Sequence, residues 1–368
     1  MSNGAGHRGI RLAVDAMGGD HGVTEIVPGS IDHAIAHPED RVLLVGDPAR
    51  IEAAAPSRPL PSNVEIVAAS QVIEMDEHPA LALREKKDAS ITVACDLVRS
   101  GRADAVMTAG HTGAAMAAAV LRIGRLAGVD RPALAVQMIR AGRPFVLLDI
   151  GANPDSTPEN LLQYARMGTI FAERVVGVPN PRVALLSIGE EKGKGDARIA
   201  RATELLDASS LNFIGNVEGK DLTTDHADVV VTDAVAGNVV IKFFEGLSAF
   251  IFDLWREEFR RGIRGKLAYL LMRSGIGRIR KVFDYETAGG SPLLGVKGAV
   301  IITHGRARRR MIGFACAVAA DTARTGVPQL IADALREDAL GRLQVSDAAT
   351  GGAAAGPATD VTPPGAAT

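Results

Sequence analysis

Short runs of Val, Ile and Leu recur along this 368-residue chain, and most of them run directly into Gly, Asp, Asn, His or Thr. Runs at 10–14, 42–45, 64–67, 103–107, 133–139, 145–150, 183–188, 212–214, 229–231 and 299–302 read as buried strands. Stretches with helical spacing lie between many of them, at 91–99, 114–125, 158–176 and 197–206. This alternation restricts the fold more than any other feature. Parallel neighbours need a long connection, a helix supplies it, and right-handed crossovers then cover both faces of the sheet. The expected fold class is α/β: a mainly parallel, doubly wound sheet with helices on both faces.

In an open parallel sheet the carboxyl ends of the strands form the ligand crevice. Collected on one edge, the strand-end loops of this chain would build a single trough. They hold the turn with Asp15, Gly18, Gly19 and Asp20, then Gly110-His111-Thr112-Gly113, Asn153, the loop with Gly189, Glu190 and Gly195, Asn216, and His304. Ordinary turns favour the same residue types and stay open as the plain alternative for any one loop. Gly110 and Gly113 open onto a helical pattern, where bare N–H groups and the helix dipole favour an anion; close strand-to-helix packing also demands small residues. Arg84, Lys86 and Lys87 before one helix, and Lys242 after Gly237-Asn238, suit a dianionic substrate, with solvated surface charge as the alternative. His304 ends a buried run beside Gly305 and is the histidine best placed for chemistry.

Other chemistries lose their warrants. There is no G-x-S-x-G elbow, H-E-x-x-H or C-x-x-C, and Cys95 and Cys316 read as small buried hydrophobes. Gly4-x-Gly6-x-x-Gly9 matches a dinucleotide fingerprint in form only, because the fingerprint must follow a strand and this one precedes the first. With 41 basic against 43 acidic residues the net charge is -2, and no overall basic field draws the chain to nucleic acid. The N-terminus lacks an apolar signal region, and no run approaches the ~20 apolar residues that cross a bilayer. A cytoplasmic protein, at most resting on a membrane, is expected. Residues 1–9 are expected to be flexible and the Ala-, Gly- and Pro-rich tail 344–368 disordered, leaving 10–343 as the folded domain.

Residues 243–283 stand apart. Between Arg256 and Lys281 nine basic residues face two acidic ones, with Trp255, Leu267, Leu270 and Leu271 among the apolar residues around them. Basic and apolar residues interleaved at helical spacing describe a helical hairpin that can lie on an anionic surface, with Gly275 and Gly277 offering the tip. A helical pair packing on a second subunit is the alternative, and both can hold in one protein.

With these segments in view, the chain resembles the bacterial acyl-ACP:phosphate acyltransferases of phospholipid synthesis. The resemblance spans about residues 10–325. It rests on Asp15-Ala-Met-Gly-Gly-Asp20, Ala82-Leu-Arg-Glu-Lys-Lys-Asp88, Asp130-Arg-Pro-Ala133, Asp149-Ile-Gly-Ala-Asn153 and Ile188-Gly-Glu-Glu191. Further along, Phe213-Ile-Gly-Asn-Val-Glu-Gly219, Gly237-Asn-Val-Val-Ile-Lys242, Gly289-Gly-Ser-Pro-Leu-Leu-Gly295 and His304-Gly305 match as well. His111, Ser187 and Asp196 each stand where the family usually has Asn, and Ala234-Val235-Ala236 replaces a Gly-Phe-Thr-like segment. The resemblance implies a fold related to phosphotransacetylase and the decarboxylating isocitrate dehydrogenases, and no metal or nucleotide cofactor. It further implies a homodimer, peripheral membrane contact through the hairpin, acyl carrier protein and inorganic phosphate as partners, and a membrane glycerol-phosphate acyltransferase downstream.

In that reaction phosphate is itself the nucleophile, so positioning and charge stabilisation can carry catalysis without an acyl-enzyme. The expected placement sets phosphate between Gly110–Gly113 and the Arg84, Lys86, Lys87 group. His304 and Asn153 or Asn216 are the donors toward the carbonyl or leaving thiolate, with Lys242 and Asn238 close by. The rival readings are a phosphotransacetylase acting on acyl-CoA, a nicotinamide-dependent dehydrogenase, and a non-catalytic scaffold that recruits lipid enzymes through the basic hairpin.

Overall fold

A computed structural model of the chain describes residues 9–56, 59–140, 143–282 and 285–337. The expectations for residues 1–8 and for the tail lie outside these described residues. In chain order the elements are β1 (Arg11–Asp15), α1 (Val23–Ala36), β2 (Arg41–Gly46), α2 (Pro48–Ala54), β3 (Val64–Ala68), α3 (Pro79–Glu85), α4 (Ser90–Arg99), β4 (Ala105–Thr108) and α5 (Thr112–Ala118). Next come β5 (Ala133–Arg140), β6 (Arg143–Leu148), α6 (Pro158–Phe171), β7 (Val183–Leu186), α7 (Ala197–Asp207), β8 (Phe213–Val217) and β9 (Val229–Val231). The long helices α8 (Ala234–Arg260) and α9 (Gly262–Val282) lead to β10 (Ser291–Leu294), β11 (Ala299–Ile302) and α10 (Arg309–Arg324).

One 11-stranded sheet runs β3-β2-β1-β4-β11-β10-β5-β6-β9-β7-β8. Successive strand residues point to opposite faces, so Leu12 and Val14 of β1 meet Ile26 and Ile31 of α1 and Ile312 of α10, while Ala13 faces the side covered by Ala94 and Cys95 of α4. In the other half Val146 and Leu148 of β6 pack with Leu161, Tyr164 and Phe171 of α6. Helix starts follow side-chain capping rules: Thr157 and Asn160 form a reciprocal box that spans Pro158, and Asp233 accepts from Val235 N at 2.9 Å and Ala236 N at 3.0 Å to open α8.

All pairings are parallel except three in a row: β11 to β10, β10 to β5, and β5 to β6. An odd number of reversals inverts the sheet. Strands β1 to β4 and β11 therefore run one way, and β6 to β9 the other, so their carboxyl ends open on opposite edges. The expectation of one edge carrying every strand-end loop is overturned. The reversing strands share a cause, since β5 and β6 are separated by two residues and β10 and β11 by four, too few for a crossover helix.

Helices α8 and α9 form the expected hairpin, but it turns at Arg261 and Gly262, where Gly262 takes a φ of 61°. Gly275 and Gly277 lie inside α9, so the expected tip is corrected. Backbone in the left-handed region favours glycine, whereas two helical glycines only weaken propensity. Helix α8 also corrects the reading that no run nears bilayer length: its 27 residues contain an 18-residue window of mean hydropathy 1.5. That helix is rooted in the domain, with Gly237 so close to the Asp149 carbonyl that a Cβ would sit 2.0 Å from the oxygen.

Candidate active site

Between the two halves of the sheet lies a cavity of about 690 Å³. Leu134, Val136 and Met138 of β5, Ile150, and Ile241 and Phe244 of α8 give it apolar walls. A polar group forms where the loops after β4 and β11 meet α8: Gly110, Thr112, Asn238, Lys242, Glu245 and His304. Asn238, Lys242 and Glu245 are four and three residues apart, which places them on one face of the helix.

Glu245 is the hub. One carboxylate oxygen lies 3.1 Å from His304 Nε2, and the other lies 3.2 Å from Lys242 Nζ and 3.1 Å from Arg306 Nη2. Burial pushes its carboxyl up, but the hydrogen bond and charge of His304, aided by Lys242, outweigh that and hold it down at about 2. Three basic groups around one carboxylate leave the polar end suited to an anion.

Of the residues expected from sequence, Gly110, Thr112, Asn238, Lys242 and His304 line this cavity together. Asp15 lies beneath it, fully buried, accepting from Thr108 Oγ1 at 2.7 Å; burial raises its carboxyl above the usual range. Thr108 Oγ1 in turn accepts from Gly110 N at 3.0 Å. Gly18 belongs to the same knot, because a Cβ there would come within 2.7 Å of Gly110 Cα. Gly19, with φ 80°, and Asp20, whose N–H donates to Gly305 O at 2.8 Å, hook the β1 loop onto the β11 loop. These residues shape the floor and rim without lining the cavity.

Several expected roles fail on geometry. The helix start at Gly113 is no open anion cradle, since His111 Nδ1 accepts from Gly113 N at 3.0 Å and Ala114 N at 3.4 Å. Lys86 is engaged by Glu77 at 2.5 Å and by the Val72 carbonyl at 2.7 Å, and neither it nor the exposed Arg84 and Lys87 lines the cavity. The Asn153 amide donates to Pro132 O, to Asp149 Oδ2 at 3.2 Å and to Tyr164 Oη at 3.0 Å, so it braces the β6 loop. Asn216 sits on edge strand β8, where Oδ1 accepts from Thr203 Oγ1 at 3.4 Å. Gly189, Glu190 and Gly195 follow β7 in the inverted half, away from the cavity lining, and Glu190 pairs with Lys220 at 3.4 Å. Trp255 is half-buried beside Phe252, and Leu267, Leu270 and Leu271 are exposed along the hairpin.

A family model described as Fatty acid synthesis protein matches residues 10–330. A phosphate acyltransferase from Desulfitobacterium hafniense is 47% identical over 318 residues, covering 86% of this chain and 95% of that protein. Another, from Heliobacterium modesticaldum, is 46% identical over 340 residues, covering 91% and 99%. This chain belongs to the phosphate acyltransferase family. Its fold is shared with solved phosphotransacylases: one from Streptococcus pyogenes, a phosphotransacetylase, superposes with a TM-score of 0.57 at 14% identity over 86% of this chain and 94% of that one. A branched-chain phosphotransacylase from Enterococcus faecalis gives 0.54 at 14% over 86% and 99%.

Neither cysteine lines the cavity. Cys95 and Cys316 are fully buried elsewhere, and burial pushes both thiols up, Cys316 to about 12. Sequence reasoning missed Glu245. The signal was available: an acidic residue three positions after Lys242 in an otherwise apolar helical stretch.

Proposed function

We propose that this phosphate acyltransferase takes its acyl group from acyl carrier protein and works as a homodimer on an anionic membrane surface. What supports the reading is a single cavity that is apolar along its walls and cationic at one end. An acyl chain is stabilised by the first property and a phosphate dianion by the second. Lys242, Asn238 and Thr112 hold phosphate beside the thioester. A phosphate oxygen forms a bond to the carbonyl carbon, the carbon–sulfur bond breaks, and the sulfur leaves with the electron pair. His304, as imidazolium, gives its proton to that thiolate and becomes neutral.

The hairpin carries the other half of the proposal. Its basic outer segment suits an acidic carrier protein and anionic lipid headgroups, and its exposed leucines suit the acyl region beneath them. The test of the reaction is direct. Purified protein, acyl-ACP and phosphate should give a hydroxylamine-trappable acyl phosphate, faster than with acyl-CoA. Equal or better turnover of acyl-CoA would favour a phosphotransacetylase, and no product from either donor would favour a scaffold.

A further inference from the structure

We propose that Glu245 is a positioning residue for the transfer step, holding the His304 imidazole at the polar end of the cavity with its ring orientation fixed. This rests on the role given to His304 above and adds the group that creates it. The geometry is specific. Glu245 reaches His304 from α8, across the cavity rim, with Nε2 at 3.1 Å from one oxygen. Its other oxygen is shared by Lys242 and Arg306, which stops the carboxylate from rotating away. A carboxylate that accepts from one ring nitrogen fixes the tautomer and the ring orientation and stabilises the imidazolium.

The charged groups around His304 come from three directions. Helix α8 brings Glu245 and Lys242, its own loop brings Arg306, and the β1 loop brings Asp20, whose Oδ1 lies 2.9 Å from where a Cβ on Gly305 would be. Arg306 and Lys242 share the second Glu245 oxygen, and Glu245 is an acidic group in direct contact with the ring. Beyond them Glu286 and Arg310 pair with each other at 2.9 Å.

The experiment is a pH profile of kcat/KM for wild type, Glu245→Gln, His304→Gln and the double variant, with acyl-ACP and phosphate. Glu245→Gln should lower kcat/KM roughly 10- to 100-fold and move the alkaline limb of the profile down by about one pH unit. In the His304→Gln background the same change should have little further effect. A loss with the limb unmoved, or a loss fully additive with His304→Gln, would overturn the proposal. If Glu245→Gln does not fold, Glu245→Asp replaces it: a shifted limb supports the role and an unshifted one removes it. Imidazole ¹⁵N titration of His304 reads the same contact without turnover. A wild type that forms no acyl phosphate would therefore refute the proposed reaction, while an imidazole titration unchanged by Glu245→Gln would refute the positioning.

Discussion

Helix α8 is one continuous helix with two unlike halves. From Ala234 to Ser248 it buries Ala234, Gly237, Ile241 and Ser248 against the domain and aims Asn238, Lys242 and Glu245 at the cavity. Beyond Ser248, and throughout α9, no described side chain is buried, and Phe250, Leu254, Leu267, Leu270 and Leu271 are all at least 48% exposed. The inner half is fixed by contacts that tolerate almost no displacement. The outer half presents apolar surface that is stabilising only once something covers it. A rigid helix joining the two lets whatever the hairpin meets be held at a constant distance from the reacting groups.

The sharpest way to break the comparison is at its root. In Gly237→Val the new Cβ would lie 2.0 Å from the Asp149 carbonyl oxygen, in the backbone of a packed loop that cannot yield. We expect a loss of roughly 3 kcal/mol or more in stability and no measurable turnover. Gly246, with open space where its Cβ would be, is the internal control: Gly246→Ala should stabilise α8 by about 0.5–1 kcal/mol. Thermal unfolding of the two variants decides it, and a Gly237→Val protein as stable as wild type would mean that α8 is not anchored there.

The outer half should fail in a different assay. Leu270 and Leu271 are 59% and 75% exposed, and charging both removes two leucines' worth of transfer energy. Leu270→Glu with Leu271→Glu is expected to weaken sedimentation with anionic vesicles by about 100-fold, while turnover of soluble acyl-ACP changes little. Persistent sedimentation would place the anchor elsewhere. A smaller effect belongs to the inner half again: Lys242→Ala should raise the KM for phosphate at least about tenfold, leaving vesicle binding intact, and an unchanged KM would move phosphate away from α8.

These contrasts also show what could be read from residue order. Strand runs ending in Gly, Asp or His announced the α/β fold and put His304, Gly110 and Lys242 among the candidates, because local pattern reports local structure. Strand order and direction are not local. Nothing in Ser291-Pro292-Leu293-Leu294 distinguished β10 from a loop, yet this short strand joins β11 to β5, antiparallel to both, and the β5–β6 hairpin beyond it supplies the third reversal that inverts the rest of the sheet. Asn216 and the Gly189 to Gly195 loop, alike in sequence to the cavity loops, belong to β8 and β7 at the edge of the sheet, outside β6 and β9, whose following segments do reach the cavity. Asn153 failed for another reason, since its amide was claimed by three acceptors that only the folded chain brings near.

Acid should probe the junction between the halves. Glu245 has its carboxyl held down at about 2 from an ordinary value of 4.5, so its contribution to stability is present above pH 4.5 and is lost as pH falls toward 2. At full strength that displacement is worth about 3 kcal/mol, and solvent at the cavity mouth screens it to the order of 1–2 kcal/mol. Glu245→Gln should therefore flatten the stability curve across that window, as followed by denaturant unfolding at successive pH values. An identical acid slope in both proteins would show that the cluster does not couple to folding.

The smallest effect concerns two helix starts, capped by Asp196 and His111. Asp196 caps α7 by accepting from Ile199 N at 2.9 Å, which an Asn oxygen does equally well. His111 caps α5 through Nδ1, a ring nitrogen that must be unprotonated to accept. His111→Asn should change stability by less than about 1 kcal/mol near neutral pH and leave phosphate binding within about threefold, because the N–H groups of Gly113 and Ala114 stay capped. Calorimetry of phosphate binding to His111→Asn tests the assignment, and a large gain in affinity would mean that those N–H groups serve the anion after all.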